Sequence, residues 1–97
     1  MTAPESSRVL STDVHTAALE PLDTLGDAEI GLWGMEPGVD HDTEADEVFV
    51  VLAGRGTVEF EDGEVVTLAP GVAVRLRAGE RTTWTVTETL RKVYVAL

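Results

Sequence analysis

A chain of 97 residues, 43% hydrophobic and 26% charged, has room for one domain and is too apolar to remain disordered. The lack of Cys excludes disulfides, thiolate metal sites and Cys nucleophiles; with no run of ~20 apolar residues and no signal-peptide pattern over Met1–Arg8, a cytosolic protein is expected. The 18 acids and 7 bases give a net charge of −11, all of it carried by residues 1–54, which argues against nucleic-acid and anionic-membrane partners.

Residues 1–27 are weakly patterned, with Pro4, Pro21 and Gly26 as punctuation. They read as an N-terminal arm packed on the domain or on a partner subunit, with room for one short strand or for a short helix over Asp13–Glu20. Residues 28–97 then show regular strand and turn signals. Ala28–Glu36 ends at Pro37-Gly38, and Glu47–Ala53 ends at Gly54-Arg55-Gly56. Thr57–Glu61 and Glu64–Leu68 flank Asp62-Gly63, a strong hairpin signal. Val72–Leu76, Thr82–Thr87 and Leu90–Leu97 complete seven short strand candidates rich in Val and Thr. The expected fold is an all-β sandwich or barrel. Asp40–Glu47, with five acids in eight residues, reads as a solvated acidic loop without the Gly and ligand spacing of a calcium-binding EF-hand loop.

Two-residue alternation assigns faces. Glu47, Phe49 and Val51 share one face, and Val48, Val50 and Leu52 the other, so this strand needs cover on both sides. Thr82, Trp84 and Val86 share a face. In the last strand Lys92, Tyr94 and Ala96 lie opposite Val93, Val95 and Leu97, as in a strand with one wet face. The apolar outward set Val48, Val50 and Leu52 predicts a homodimer, with the arm as the other available cover.

Two ordered patterns carry a resemblance. Pro37-Gly38 is followed by His41, Glu47, six residues and Gly54; Gly71 is followed by five residues, Arg77-Ala78-Gly79, two residues and Thr82. In these the chain resembles the cupin superfamily. Through Gly31–Gly38, Gly79–Trp84 and Leu90–Val95 it is similar to the small cupins related to ureidoglycine aminohydrolase. The resemblance covers about residues 28–97 and implies a double-stranded β-helix, the cupin jelly-roll barrel, often dimeric.

In that superfamily a metal is held by two His and a Glu of the first motif and a His of the second. Here His41 and Glu47 match, while Thr43 and Thr82 stand at the other two positions. Hydroxyls are poor substitutes for imidazole, so the resemblance implies a degenerate metal site. No cofactor is expected, and a divalent Mn, Fe, Ni or Zn would have to use His41 and Glu47 with Glu44, Asp46 or ligands not identified. Thr43, Glu47, Phe49, Val51, Thr82 and Trp84 are the pocket-lining candidates. Arg75 and Arg77 form a candidate anion clamp, with pairing to nearby acids as the alternative. His15 has no motif around it. The functional expectation is a cupin binding a small polar metabolite. The alternatives are a metal-dependent enzyme acting on a ureide or similar substrate, and a structural dimer without a ligand.

Overall fold

The computed structural model describes residues 8–97 and contains seven strands and no helix among them. These are β1 (Pro21–Leu25), β2 (Ala28–Met35), β3 (Gly38–Thr43), β4 (Glu47–Phe60), β5 (Val65–Leu68), β6 (Ala73–Leu76) and β7 (Arg81–Ala96). Residues 1–7 of the expected arm, Pro4 with them, lie outside the described residues. The remainder of that segment holds a turn, in which Thr16 and Ala17 N–H donate to the Asp13 carbonyl, where a helix over Asp13–Glu20 was one expectation. Its last residues form β1, which pairs with β2.

Two long strands organise the barrel. The first half of β4 (residues 47–53) pairs with the end of β7 and with β6; its second half pairs with the start of β7 and with β5. In turn β7 pairs with β3 early and with β2 late. The two halves of one seven-stranded antiparallel sheet thus share β4 and β7, which gives the double-stranded β-helix expected from the sequence. Residues 28–97 hold six strands where seven runs were expected, because Glu47–Ala53 joins Thr57–Glu61 and Thr82–Thr87 joins Leu90–Leu97, while Gly38–Thr43 adds a strand that was not expected. The register shifts between Val51 and Gly56 show how β4 passes through Gly54-Arg55-Gly56 without ending: bulges bend it there. Gly54 has φ +92°, and a Cβ there would collide with the Thr89 carbonyl oxygen, as one on Gly56 would with that of Thr85. Those glycines are the corner at which the paired strands turn together.

The acidic segment read as a loop is mostly strand. Asp40 lies opposite Trp84, His41 opposite Thr83 and Asp42 opposite Thr82. Cross-strand partners share a face, so Asp40 and Asp42 belong with inward-facing Trp84 and Thr82, and His41 belongs outside with Thr83. The expected inward set Glu47, Phe49, Val51 and Trp84 faces inward, with Phe49 and Val51 each 1% exposed. In the last strand the alternation holds, but the inner face is the one carrying Lys92 and Tyr94: Lys92 is buried and Val95 exposed. The core comprises Phe49, Val51, Val58, Phe60, Leu68, Val74, Leu76, Trp84, Val86 and Leu90. Among the described residues no helix is long and apolar enough to cross a membrane.

Candidate functional site

One end of this core is polar. Lys92, on β7, faces inward between Trp33 of β2 and Val51 of β4 in the strand register. Its Nζ lies 4.3 Å from the ring centre of Phe49, 4.6 Å from that of Trp33 and 4.8 Å from that of Trp84. Trp84 is central to this cage, with both other rings centred 5.5 Å away. Glu47, the first residue of β4, places Oε2 2.6 Å from Nζ, and the side chains of Lys92 and Glu47 are 5% and 15% exposed. Ring faces and a carboxylate together replace the water an ammonium loses on burial.

Beside this pair lies Glu44, in the turn between β3 and β4 and 9% exposed. Its Oε2 accepts from the Thr82 hydroxyl at 2.7 Å and from Trp84 Nε1 at 3.1 Å. Burial pushes the Glu44 carboxyl above the ordinary Glu value; the Thr82 and Trp84 bonds oppose that shift, Asp42 adds to it, and Lys92 opposes it. Backbone bonds between Glu44 and residues 79–80 hold the turn in place. On the facing wall the Tyr94 hydroxyl donates to Glu29 Oε2 at 3.0 Å, and burial, followed by that bond, raises the phenol above its ordinary value. These groups surround a cavity of about 250 Å³, lined also by Met35, Asp40, Asp42 and Ala96.

The residues singled out from the sequence are divided between the two sides of the barrel wall. Glu47 and Trp84 line the cavity, Phe49 and Val51 lie in the core, and Thr82 supports Glu44. Thr43 and His41 face an open surface cleft, where His41 Nδ1 is 3.0 Å from the Thr83 hydroxyl. Arg75 pairs with Asp46 at 3.0 Å, and that contact, with the Ala78 N–H, holds the exposed Asp46 carboxyl below the ordinary Asp value. Arg77 is exposed in the following turn, where its N–H donates to Glu80. His15 is exposed, in the segment before β1.

A metal of the kind the cupin resemblance implies does not fit these residues. Among those described, no three His, Cys, Asp or Glu converge on one point, and His41 and Glu47 lie on opposite sides of the wall. The Glu47 carboxylate is taken by an ammonium, and the Thr82 hydroxyl donates to Glu44.

Lys92 was not among the candidates, Glu44 was considered only as a substitute metal ligand, and Trp33, Glu29, Tyr94, Asp40 and Asp42 were not assigned to the pocket. A signal existed for Lys92 and Tyr94. Inward-facing Thr82, Trp84 and Val86 are even-numbered, and the same parity carried through to Leu90 puts Lys92 and Tyr94 inside. A lysine at an inward position amid aromatic residues marks a site.

Comparison with known proteins supports this architecture. The family model described as the EutQ-like cupin domain matches residues 22–94. A Rhizobium leguminosarum protein of unknown function superposes with a TM-score of 0.74 at 28% identity, over 99% of this chain and 97% of the other. A DUF861-family protein from Thermotoga maritima gives 0.63 at 28% identity, over 68% and 76%. The EutQ protein of Clostridium difficile gives 0.69 at 22% identity; 80% of this chain is covered, but only 64% of that protein. No curated protein matches the sequence.

Proposed function

Because this chain belongs to the EutQ-like cupin domain family, we propose that it is a cytosolic protein binding a small polar metabolite in the mouth of its barrel without a metal. The observation that carries this reading is the Lys92–Glu47 pair, 2.6 Å apart beneath a cavity. A buried ion pair is seldom the most stable way to fill a core; apolar residues of similar volume often do better. A pair kept at the floor of a polar cavity fits a binding role. Fixed inside a cage of rings, the Lys92 ammonium supplies the positive charge that a metal brings to other cupins. A barrel filled by its own side chains would leave no such cavity. A metal-dependent reaction on a ureide would need Glu47 released from Lys92, and no observation favours that.

Native mass spectrometry of protein purified without chelator tests the reading. The expected result is far less than one equivalent of transition metal per chain, and a metabolite mass that disappears on denaturation. A metal content near one equivalent, lost in Glu47→Ala, would overturn it.

A further inference from the structure

The cavity carries more negative charge than its own residues neutralise. Lys92 matches Glu47, whereas the neutral Tyr94 hydroxyl that donates to Glu29 leaves that carboxylate's charge in place. Asp40, Asp42 and Glu44 join Glu29, three alternate residues along one wall, and none of the four is in an ion pair among the described residues. Glu44 is the most telling of the three. It is 9% exposed, and both of its side-chain bonds end on Oε2. Its Oε1 takes no hydrogen bond among the described residues, although the side chain lines the cavity. Arg91 Nε is the one buried polar side-chain atom without a partner among the described residues, so Glu44 Oε1 keeps contact with the cavity space and is open to a ligand N–H.

We infer that the barrel ligand is a small organic cation, a primary ammonium or similar N–H donor, whose charge is held by Glu44 and Asp42 while its apolar part rests against Trp33 and Met35. This rests on the reading of the barrel mouth as a ligand site and names its ligand class. An anion would meet four carboxyls without a charged partner, and the sole ammonium lining the cavity is already paired. The volume, about 250 Å³, equals roughly eight water molecules at ~30 Å³ each, which suits a ligand of few heavy atoms.

Binding is coupled to protons. The charged and titratable groups around Glu44 are Asp40 and Asp42 from β3, Glu47 from β4, Lys92 and Tyr94 from β7, and Glu29 from β2. Carboxyls dominate that set and burial favours the protonated acid, whereas a bound cation favours the carboxylate. Affinity for a cation therefore rises with pH from the ordinary Glu range upward.

Titrating the full chain with propylammonium, propionate and propionamide, while following the indole N–H of Trp84 by NMR, separates the outcomes. Propylammonium should shift that signal saturably. It should bind more weakly at pH 5 than at pH 8, and weaken roughly tenfold in Glu44→Gln, which keeps an acceptor for Thr82 and Trp84. Asp42→Asn, on the exposed rim, should weaken it by a smaller factor and serves if Glu44→Gln fails to fold. Propionate or propionamide binding as well as propylammonium would overturn the cation assignment and leave the barrel as a ligand site. Propylammonium affinity unchanged in the variants would overturn the assignment too, and silence from all three probes would overturn both readings.

Discussion

Glu44 and Lys92 are opposite solutions to burying a charge. Lys92 has a carboxylate and three ring faces, whereas Glu44 has two neutral donors and a carboxyl that burial pushes toward its protonated form. The sign for stability follows. A Glu with a raised folded-state value binds protons more readily in the native than in the unfolded chain, so its contribution falls as pH rises from the ordinary Glu value through the raised one. Glu44→Gln removes that loss. The stability of Glu44→Gln relative to the parent, measured by urea unfolding, should be greater at pH 8 than at pH 4.5; a difference constant across that range would contradict the assignment. For the ion pair, Lys92→Met leaves the Glu47 carboxylate without a partner and should cost about 3 kcal/mol. Adding Glu47→Gln should recover much of that loss, because neighbouring substitutions are not additive. Glu47 was legible because the first motif and strand alternation both pointed to it. The inward place of Glu44 was not, since its burial comes from the packing of a turn against Thr82 and Trp84, 38 and 40 residues further along the chain.

At the scale of elements, turn chemistry carried most of the fold. The Asp62-Gly63 hairpin and the Pro70-Gly71 and Ala78-Gly79 breaks fall between β4 and β5, β5 and β6, and β6 and β7, where the sequence puts them. Gly54-Arg55-Gly56 carries the same kind of signal with a different physical cause: a close approach of two backbones inside a continuous strand. Substitution separates the two uses. Gly63→Ala meets only backbone strain, since nothing lies within 4 Å of the added Cβ, and should cost about 1 kcal/mol. Gly54→Ala adds a collision with the Thr89 carbonyl to a φ of +92° and should cost about 3 kcal/mol or more, read as a lower urea midpoint. Equal effects of the two would contradict the corner role. The strand β3 escaped detection because Asp is disfavoured in strands and Val39–Thr43 has no apolar period. Pairing with β7 supplies what its own residues do not. His41 then falls on the outer face as a consequence of strand parity.

For the whole molecule, the decisive feature is the outer side of the sheet that contains the first half of β4. Val48 is opposite Val95, and Val50 opposite Val93, in the β4–β7 register, so these four form one apolar patch. Within it Val48 is 47% and Val95 38% exposed, and Leu97 beside them is 74% exposed. The described part of the segment before β1, residues 8–20, covers a neighbouring region. The Glu20 carbonyl accepts from Leu32 N–H, Leu19 lies against Gly34, and Arg91 donates to the Val14 carbonyl. Leu32 is accordingly buried, while Val48 and Val95 stay open. Fully burying a Val is worth roughly 1.5–3 kcal/mol, so the uncovered patch forfeits several kcal/mol in the single chain. A second copy brings the same patch to a two-fold axis and buries both at once. The charge of −11 opposes association, but repulsion between exposed charges is screened beyond ~8 Å at physiological salt. A homodimer at micromolar concentration is the expected state in sedimentation or light scattering. Val48→Glu alters an exposed side chain, so it should leave the fold intact and dissociate the dimer by burying an unpaired carboxylate at the contact. A parent protein that sediments as a ~10 kDa monomer in 0.15 M salt would refute the dimer and point to the arm, the other cover the sequence offers.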